Sequence, residues 1–197
     1  MMLEYKEIDN TDYNALKQCA ELSVDTADIV TAEERDQYLE SMIGELKRSH
    51  CIGIYDSGRL VGSIIILLNP PYRMLDLVPD EAEAFYNREN VRSENCVQML
   101  YAVFPQRSAT ERLEFYKKTL EVMIAPGKEH ILIYYNDDKH NRHQLYRRMK
   151  PEIIKEKVSP GFTRRLVFVR RSFLLTELQN VEKQIALRQK NKAVHSF

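Results

Sequence analysis

The stretch VFPQRSATERLEFYKKTLEVMI, residues 103–124, decides the fold of this chain. It follows on from the apolar segment CVQMLYAVF (96–104), which predicts a strand, and Pro105 marks the break. From Thr110 to Ile124 the apolar residues recur at helical spacing, so we expect a helix there. Backbone amides at the start of such a helix can bind a phosphate group. Phosphate-binding turns usually contain glycine, and this one contains none.

The composition is that of one folded domain with room for an appended element. The chain has 197 residues, of which 44% are hydrophobic, too many for a disordered chain. Its longest apolar run, residues 60–68, is much shorter than the ~20 residues of a membrane span. The N-terminus lacks the pattern of a signal peptide, and three widely spaced cysteines argue against a disulfide framework. We therefore expect a cytoplasmic protein with no membrane partner.

The net charge of zero hides an uneven distribution of charge. Residues 1–100 carry 9 Lys and Arg against 19 Asp and Glu, whereas residues 101–197 carry 20 against 10. The basic half could hold an anionic ligand, or the two halves could assemble head to tail with another copy or a partner. The alternative is that both faces are simply solvated.

The hydrophobic patterning predicts the element order β-α-α-β-β-loop-β-α-β-α-β-β-α. Its most distinct feature is a hairpin at residues 51–68 that turns at Asp56-Ser57-Gly58. The second strand of that hairpin is apolar on both faces, so it should lie inside a sheet. We expect an α+β fold: a mixed, partly antiparallel sheet of about six to seven strands flanked by helices. Residues 1–171 would form this domain, and residues 172–197 an extra amphipathic helix and tail.

Three segments resemble the GCN5-related N-acetyltransferase (GNAT) family. The hairpin GIYDSGRLVGSIII (53–66) resembles the family's second and third strands, including the Val-Gly after the turn. The segment around Pro105 resembles its fourth strand, proline and Q/R-x-x-G-x-G/A loop, with Arg107 at the Q/R position. LYRRMKPEI (145–153) resembles the family's lYeklGFe, with Tyr146 on the tyrosine. The resemblance covers roughly residues 3–170.

This resemblance implies the transfer of an acetyl group from acetyl-CoA to an amine of a small molecule or a protein. In the family, amides at the helix start bind the pyrophosphate of the cofactor, and the helix dipole adds favourable charge. Carried over position by position, cofactor binding falls on Leu100, Ala102, Val103, Arg107, Ser108, Ala109, Thr110, Glu111 and Arg112. The resemblance implies no metal ion.

The chain departs from the family pattern in two places. Thr110 and Arg112 stand where the loop has its glycines, and Lys150-Pro151 replace the Gly-Phe that follows the tyrosine. A threonine narrows the approach to phosphate and suits positive φ poorly. An arginine could fill the phosphate space, or fold outward and bond to phosphate. The sequence leaves open whether the cradle is rebuilt or lost.

Catalytic roles are implied only in part. The resemblance gives Tyr146 the role of protonating the leaving thiolate, and the alternative is a tyrosine packed against the sheet. Glu94 and Tyr101 are candidates for the base, against ordinary surface or strand positions. His140 and His143 are three residues apart, but no third ligand accompanies them, so we interpret them as solvated.

The last helix carries an apolar seam of coiled-coil type. Its members are Leu174, Leu178, Val181 and Ile185, with Glu177, Glu182, Lys183 and Arg188 on the other faces. The helix either packs back on its own domain or docks onto another subunit in a homo-oligomer or larger assembly. Two functions therefore compete: an acetyltransferase, and a non-catalytic GNAT-fold interaction protein such as a phage virion or assembly component. An RNA-associated protein that uses the basic half is a third, weaker hypothesis, because no nucleic-acid signature accompanies it.

Overall fold

The computed structural model describes residues 3–24, 32–70, 79–104, 108–137, 148–159 and 162–194. Seven strands form one mixed sheet in the order β1-β2-β3-β4-β5-β7-β6. They are β1 (Glu4–Glu7), β2 (His50–Asp56), β3 (Arg59–Leu68), β4 (Cys96–Val103), β5 (His130–Asp137), β6 (Glu152–Ser159) and β7 (Phe162–Arg170). The helices within these residues are α1 (Tyr13–Val24), α2 (Ala32–Leu46), α3 (Pro79–Arg88), α4 (Ala109–Ile124) and α5 (Arg171–Val194). The predicted α+β class and strand number are confirmed.

The sheet is antiparallel except at its centre. β1 pairs with β2, β2 with β3, β5 with β7, and β7 with β6, all antiparallel. β4 and β5 run parallel, because α4 carries the chain from one to the other as a crossover. The predicted hairpin turn is present: Ser57 and Gly58 have φ of 52° and 80°, the left-handed pair that joins two twisted strands tightly.

The chain divides into two compact units, and the first comprises residues 1–67 and 100–107. In this unit, α1 and α2 bury their apolar faces against the β2–β3 hairpin. The buried cluster consists of Ile8, Leu16, Cys19, Ala20, Leu39, Met42, Ile43, Leu46, Cys51, Leu60 and Ile65. Asp12 caps α1, since its Oδ1 accepts a hydrogen bond of 3.0 Å from the amide of Ala15.

The second unit comprises residues 68–99 and 108–197. On one side, α3 packs on β4, β5 and β7 through Phe85, Tyr86, Val91, Cys96, Leu132, Leu166 and Phe168. An ion-pair chain fastens α3 to the neighbouring strands: Arg88 binds Glu152 of β6 at 2.7 Å and Glu89 at 3.1 Å, and Glu89 binds Arg170 of β7.

Helix α5 packs within this second unit. Leu174 and Val181 of its seam are fully buried, and Lys117 of α4 forms an ion pair of 3.3 Å with Glu182. Glu177, assigned from the sequence to an outer face, is instead buried beside this seam, where it pairs with Arg148 at 2.6 Å. The seam thus packs on the chain's own unit. Within the described residues, no helix is both long and apolar enough to cross a bilayer.

Candidate functional site

Strand β4 changes character halfway along its length. Cys96–Met99 are buried and pair with His130–Ile133 of β5, whereas Leu100–Phe104 are only half-buried. A strand fourth in a sheet of seven is normally covered on both faces. The second half of β4 is therefore less covered than its first half, although β4 lies in the middle of the sheet. The predicted cofactor-binding residues Leu100, Ala102 and Val103 all lie in this half.

The end of β4 lies unusually close to the hairpin of the first unit. A Cβ atom added to Gly62 would meet the carbonyl oxygen of Val103 at 2.6 Å and the Cα of Phe104 at 3.5 Å. The first of these distances is shorter than any side chain tolerates next to backbone. The glycine of the Val-Gly pair is therefore required where it stands, because the backbones of β3 and β4 could not otherwise come this close.

The chain then enters α4 through a capping box. Ser108 is the N-cap, and its Oγ accepts a hydrogen bond of 3.3 Å from the amide of Glu111. In return, the Glu111 carboxylate accepts hydrogen bonds from the Ser108 amide at 3.0 Å and from its hydroxyl at 2.7 Å. The pattern Ser-x-x-Glu at 108–111 is a sequence signature of this arrangement, and our sequence interpretation missed it.

The capping box decides how this helix start can meet a phosphate group. The box engages the amides of Ser108 and Glu111. It does not engage the amides of Ala109 and Thr110, the first two residues of the helix. Arg112 is exposed in the same first turn, and helical side chains lean towards the N-terminus. The residues present therefore fit a phosphate group: two amides and one guanidinium would bind it. The negative charge of the Glu111 carboxylate would weaken this binding. Thr110 and Arg112 are ordinary helical residues here, so neither needs the positive φ of a glycine.

The predicted site residues are placed as follows. Leu100, Ala102 and Val103 lie on β4, and Ser108 to Arg112 form the start of α4. Arg107, Tyr146, His140 and His143 lie outside the described residues. Glu94 lies in a short turn just before β4, at the end of the strand opposite to Val103. Its carbonyl oxygen accepts a hydrogen bond of 2.5 Å from Lys128. The strand-to-helix connection that the sequence predicted is thus present, whereas Glu94 is not brought to it.

The segment after Tyr146 keeps one feature of the family pattern. Lys150, which replaces a glycine, has φ of 51°, the left-handed conformation that glycine adopts without cost. Two residues earlier, Arg148 pairs with the buried Glu177 of α5 and stacks over the ring of Tyr116 in α4 at 5.6 Å. Sequence reasoning did not find this contact, because its three members come from distant parts of the chain.

One hydroxyl pair connects β4 with α2 in the first unit. The phenol oxygens of Tyr101 and Tyr38 lie 3.2 Å apart, within hydrogen-bond distance. Tyr101 was a candidate base from the sequence, whereas no role was predicted for Tyr38. No pattern in the sequence connects two residues that are 63 positions apart.

The cysteines do not supply a nucleophile. Cys19, Cys51 and Cys96 are all fully buried, and burial raises the pKa of each thiol to about 12. They are therefore protonated at neutral pH, and the thiolate is the reactive form of cysteine. Fully buried and protonated, none of the three is placed to carry an acyl group.

No protein-family model and no curated protein matches the sequence. Solved structures do match the fold. One is an acetyltransferase of the GNAT family from Desulfovibrio desulfuricans, with a TM-score of 0.54, 12% identity, and coverage of 86% of this chain and 99% of that one. Another is the CoA-dependent acyl-homoserine lactone synthase BjaI, with a TM-score of 0.61, 9% identity and coverage of 94% and 90%. A third is BCP1 from Saccharomyces cerevisiae, with a TM-score of 0.59, 13% identity and coverage of 98% and 93%.

These matches show that the chain has the GNAT fold. Identities of 9–13% establish the fold alone, and the chemistry has to be argued from the residues of this chain.

Proposed function

We propose that this protein is an N-acyltransferase that moves an acetyl group from acetyl-CoA to an amine of a small molecule or a protein. The proposal is supported by two observations: the second part of β4, Leu100–Val103, is only half-buried, and the capping box at the next helix start does not engage the amides of Ala109 and Thr110. Proteins of this fold include an acetyltransferase and a CoA-dependent synthase, which agrees with the proposal at the level of fold.

The roles of this chain's residues follow from that assignment. The backbone of Leu100–Val103 would bind the extended pantetheine arm, as a sheet edge binds an extended peptide. The amides of Ala109 and Thr110 and the guanidinium of Arg112 would hold the phosphate groups, helped by the positive end of the α4 dipole. Acetyl-CoA supplies an activated thioester. Tyr146 is proposed to donate a proton to the departing thiolate sulfur.

Glu111 sets the affinity in this proposal. Its carboxylate accepts the hydrogen bond of the Ser108 amide and adds a negative charge where phosphate would bind. The two anions repel one another, and the phosphate finds fewer free donors than at a helix start without a capping box. We therefore expect acetyl-CoA to bind weakly, and binding to improve when the charge of Glu111 is removed.

A second candidate is a non-catalytic GNAT-fold interaction protein, for example a component of a phage virion or its assembly. The same capping box favours it, since a helix start satisfied by its own chain is complete without a ligand. In that case the protein would act in a larger assembly, whereas the enzyme would act in the cytoplasm. An assembly component should form an oligomer or co-migrate with a large complex in size-exclusion chromatography with light scattering.

Calorimetric titration with acetyl-CoA separates the two candidates. The proposal expects saturable binding by the wild-type chain. Arg112→Glu should weaken binding at least tenfold, because an attraction to phosphate becomes a repulsion, and Glu111→Gln should strengthen it several-fold. Arg188→Glu makes the same charge change on an exposed part of α5 and should leave the affinity unchanged. No heat of binding with the wild-type chain would overturn the proposal and leave the interaction protein.

A further inference from the structure

We propose that Tyr101 and Tyr38 form the path by which the acceptor amine loses its proton, with Tyr101 next to the amine and Tyr38 behind it as a positioning residue. This inference rests on the proposed function and adds to it the acid–base groups on the acceptor side. The acceptor it implies is a primary amine that is protonated at neutral pH.

The geometry of the pair carries the inference. Tyr101 lies in the middle of Leu100–Val103, the stretch of β4 proposed to hold the pantetheine arm. Tyr101 packs, together with Leu100, against the buried cluster formed by α1, α2 and the β2–β3 hairpin. Its hydroxyl lies 3.2 Å from that of Tyr38 on α2, and both side chains belong to the first compact unit.

Exposure gives this pair an outlet to water. Tyr101 is half-buried against the α1–α2 cluster, whereas Tyr38 is 38% exposed. The two hydroxyls therefore connect a partly covered position on β4 with solvent. Glu34 and Arg35 lie one helical turn before Tyr38, on the same side of α2. Their charges are opposite.

The chemistry requires such a path, because an ammonium group has no lone pair with which to attack a thioester. The ammonium donates its proton to the Tyr101 oxygen, the Tyr101 proton passes to the Tyr38 oxygen, and the Tyr38 proton passes to water. Both phenols end neutral, and the nitrogen regains its lone pair. That pair forms the C–N bond as the C–S bond breaks, and the thiolate keeps the sulfur electrons. The second amine proton goes to the departing thiolate, directly or through Tyr146, so the path through Tyr101 and Tyr38 carries only the first proton.

A merely structural hydrogen bond between α2 and β4 would behave differently. A hydrogen bond open to water contributes little to stability, so Tyr38→Phe should scarcely change the melting temperature under either reading. The rate of transfer to any amine depends on how basic the amine is, but only a proton path makes the loss of rate caused by Tyr101→Phe and Tyr38→Phe depend on it. The discriminating measurement is therefore the loss of rate as a function of pH and of acceptor basicity.

The test uses the full chain saturated with acetyl-CoA and follows release of free CoA thiol. The acceptors are ethanolamine, cadaverine and tyramine, which are protonated at neutral pH, and hydroxylamine, which is mostly unprotonated. With the first three, Tyr101→Phe should lower kcat/KM about 100-fold and Tyr38→Phe about tenfold. The loss should shrink as the pH rises towards the amine pKa and should vanish with hydroxylamine. Tyr13→Phe, which removes an exposed phenol from α1, should have no effect.

The outcomes separate this inference from the proposed function. Equal losses with hydroxylamine and with the protonated amines, or rates unchanged by both substitutions, overturn the proton path and leave the transferase. Binding of acetyl-CoA without faster CoA release by any of the four acceptors also overturns it and leaves only the cofactor site. A wild-type chain that does not bind acetyl-CoA overturns both.

Discussion

Two positions that the GNAT pattern gives to glycine carry other residues in this chain, and the backbone responds to them in opposite ways. At Lys150 the left-handed conformation is kept, with φ of 51°, although a lysine now occupies it. At Thr110 the chain is an ordinary first helical turn, held by the capping box of Ser108 and Glu111. Position 150 therefore has the backbone geometry that suits glycine, whereas position 110 has that of an ordinary helix.

The difference separates two reasons for a glycine: one is required by the fold, and the other by a ligand that approaches the backbone. The turn before β6 needs a left-handed residue whatever the chain binds, so Lys150 adopts it at a cost of about 1–2 kcal/mol. A glycine at the start of α4 serves a ligand that approaches the backbone closely, and the fold itself does not need it. Gly62 belongs with the first kind, because the carbonyl of Val103 occupies the space of its missing side chain. Constraints set by the fold persist, and those set by the ligand can relax.

The largest expected effect comes from a glycine that the fold requires. Gly62→Ala places a methyl group 2.6 Å from the Val103 oxygen and 3.1 Å from the Ile54 side chain, so β3 or the end of β4 must move. We expect a loss of about 2–3 kcal/mol in the free energy of unfolding, measured by chemical denaturation.

Gly44→Ala is the matched control for Gly62→Ala. Gly44 lies inside α2 with no atom within 4 Å of an added Cβ, so alanine should stabilise the helix by about 0.5–1 kcal/mol. If both substitutions changed stability equally, close backbone approach would not explain why Gly62 is kept.

Next in size is the effect of removing the cap of α4. Ser108→Ala leaves the amide of Glu111 without its acceptor and should destabilise the chain by about 1 kcal/mol. Thr176→Ala removes a hydroxyl that, among the described residues, donates to the carbonyl of Ser172 within α5, and it should cause no loss. An unchanged midpoint of unfolding for Ser108→Ala would mean that the box does not hold the helix start.

How far the sequence predicted these features depends on whether their signals are local. The hairpin turn at Asp56–Gly58 and the passage from β4 into α4 follow from short patterns, and both are confirmed. The capping box also has a local signal, Ser-x-x-Glu at 108–111. It was missed because the same residues were compared only with the glycine loop of the family. Tertiary contacts were beyond reach, since the burial of Glu177 depends on Arg148, 29 positions earlier in the chain.

A glycine at position 150 should increase the free energy of unfolding. Lys150→Gly removes the left-handed strain of about 1–2 kcal/mol but adds the entropy of an unfolded glycine, so we expect a net gain of about 0.5–1 kcal/mol. Lys150→Ala keeps the Cβ atom and loses only the exposed chain, so it should change little. A gain as large with alanine would assign the effect to the lysine side chain and not to φ.

Restoring the glycine at position 110 should have the opposite sign and the smallest size. Thr110→Gly puts the weaker helix former into the first turn of α4 and should cost about 0.3–0.5 kcal/mol, read from the same denaturation curves. Its effect on acetyl-CoA is expected to run the other way, because a bare backbone lets phosphate come closer to the amides of Ala109 and Thr110. Calorimetry on the wild-type and variant chains measures this directly. A variant that became more stable would show that position 110, like position 150, still carries a constraint of the fold, and the contrast between the two sites would be lost.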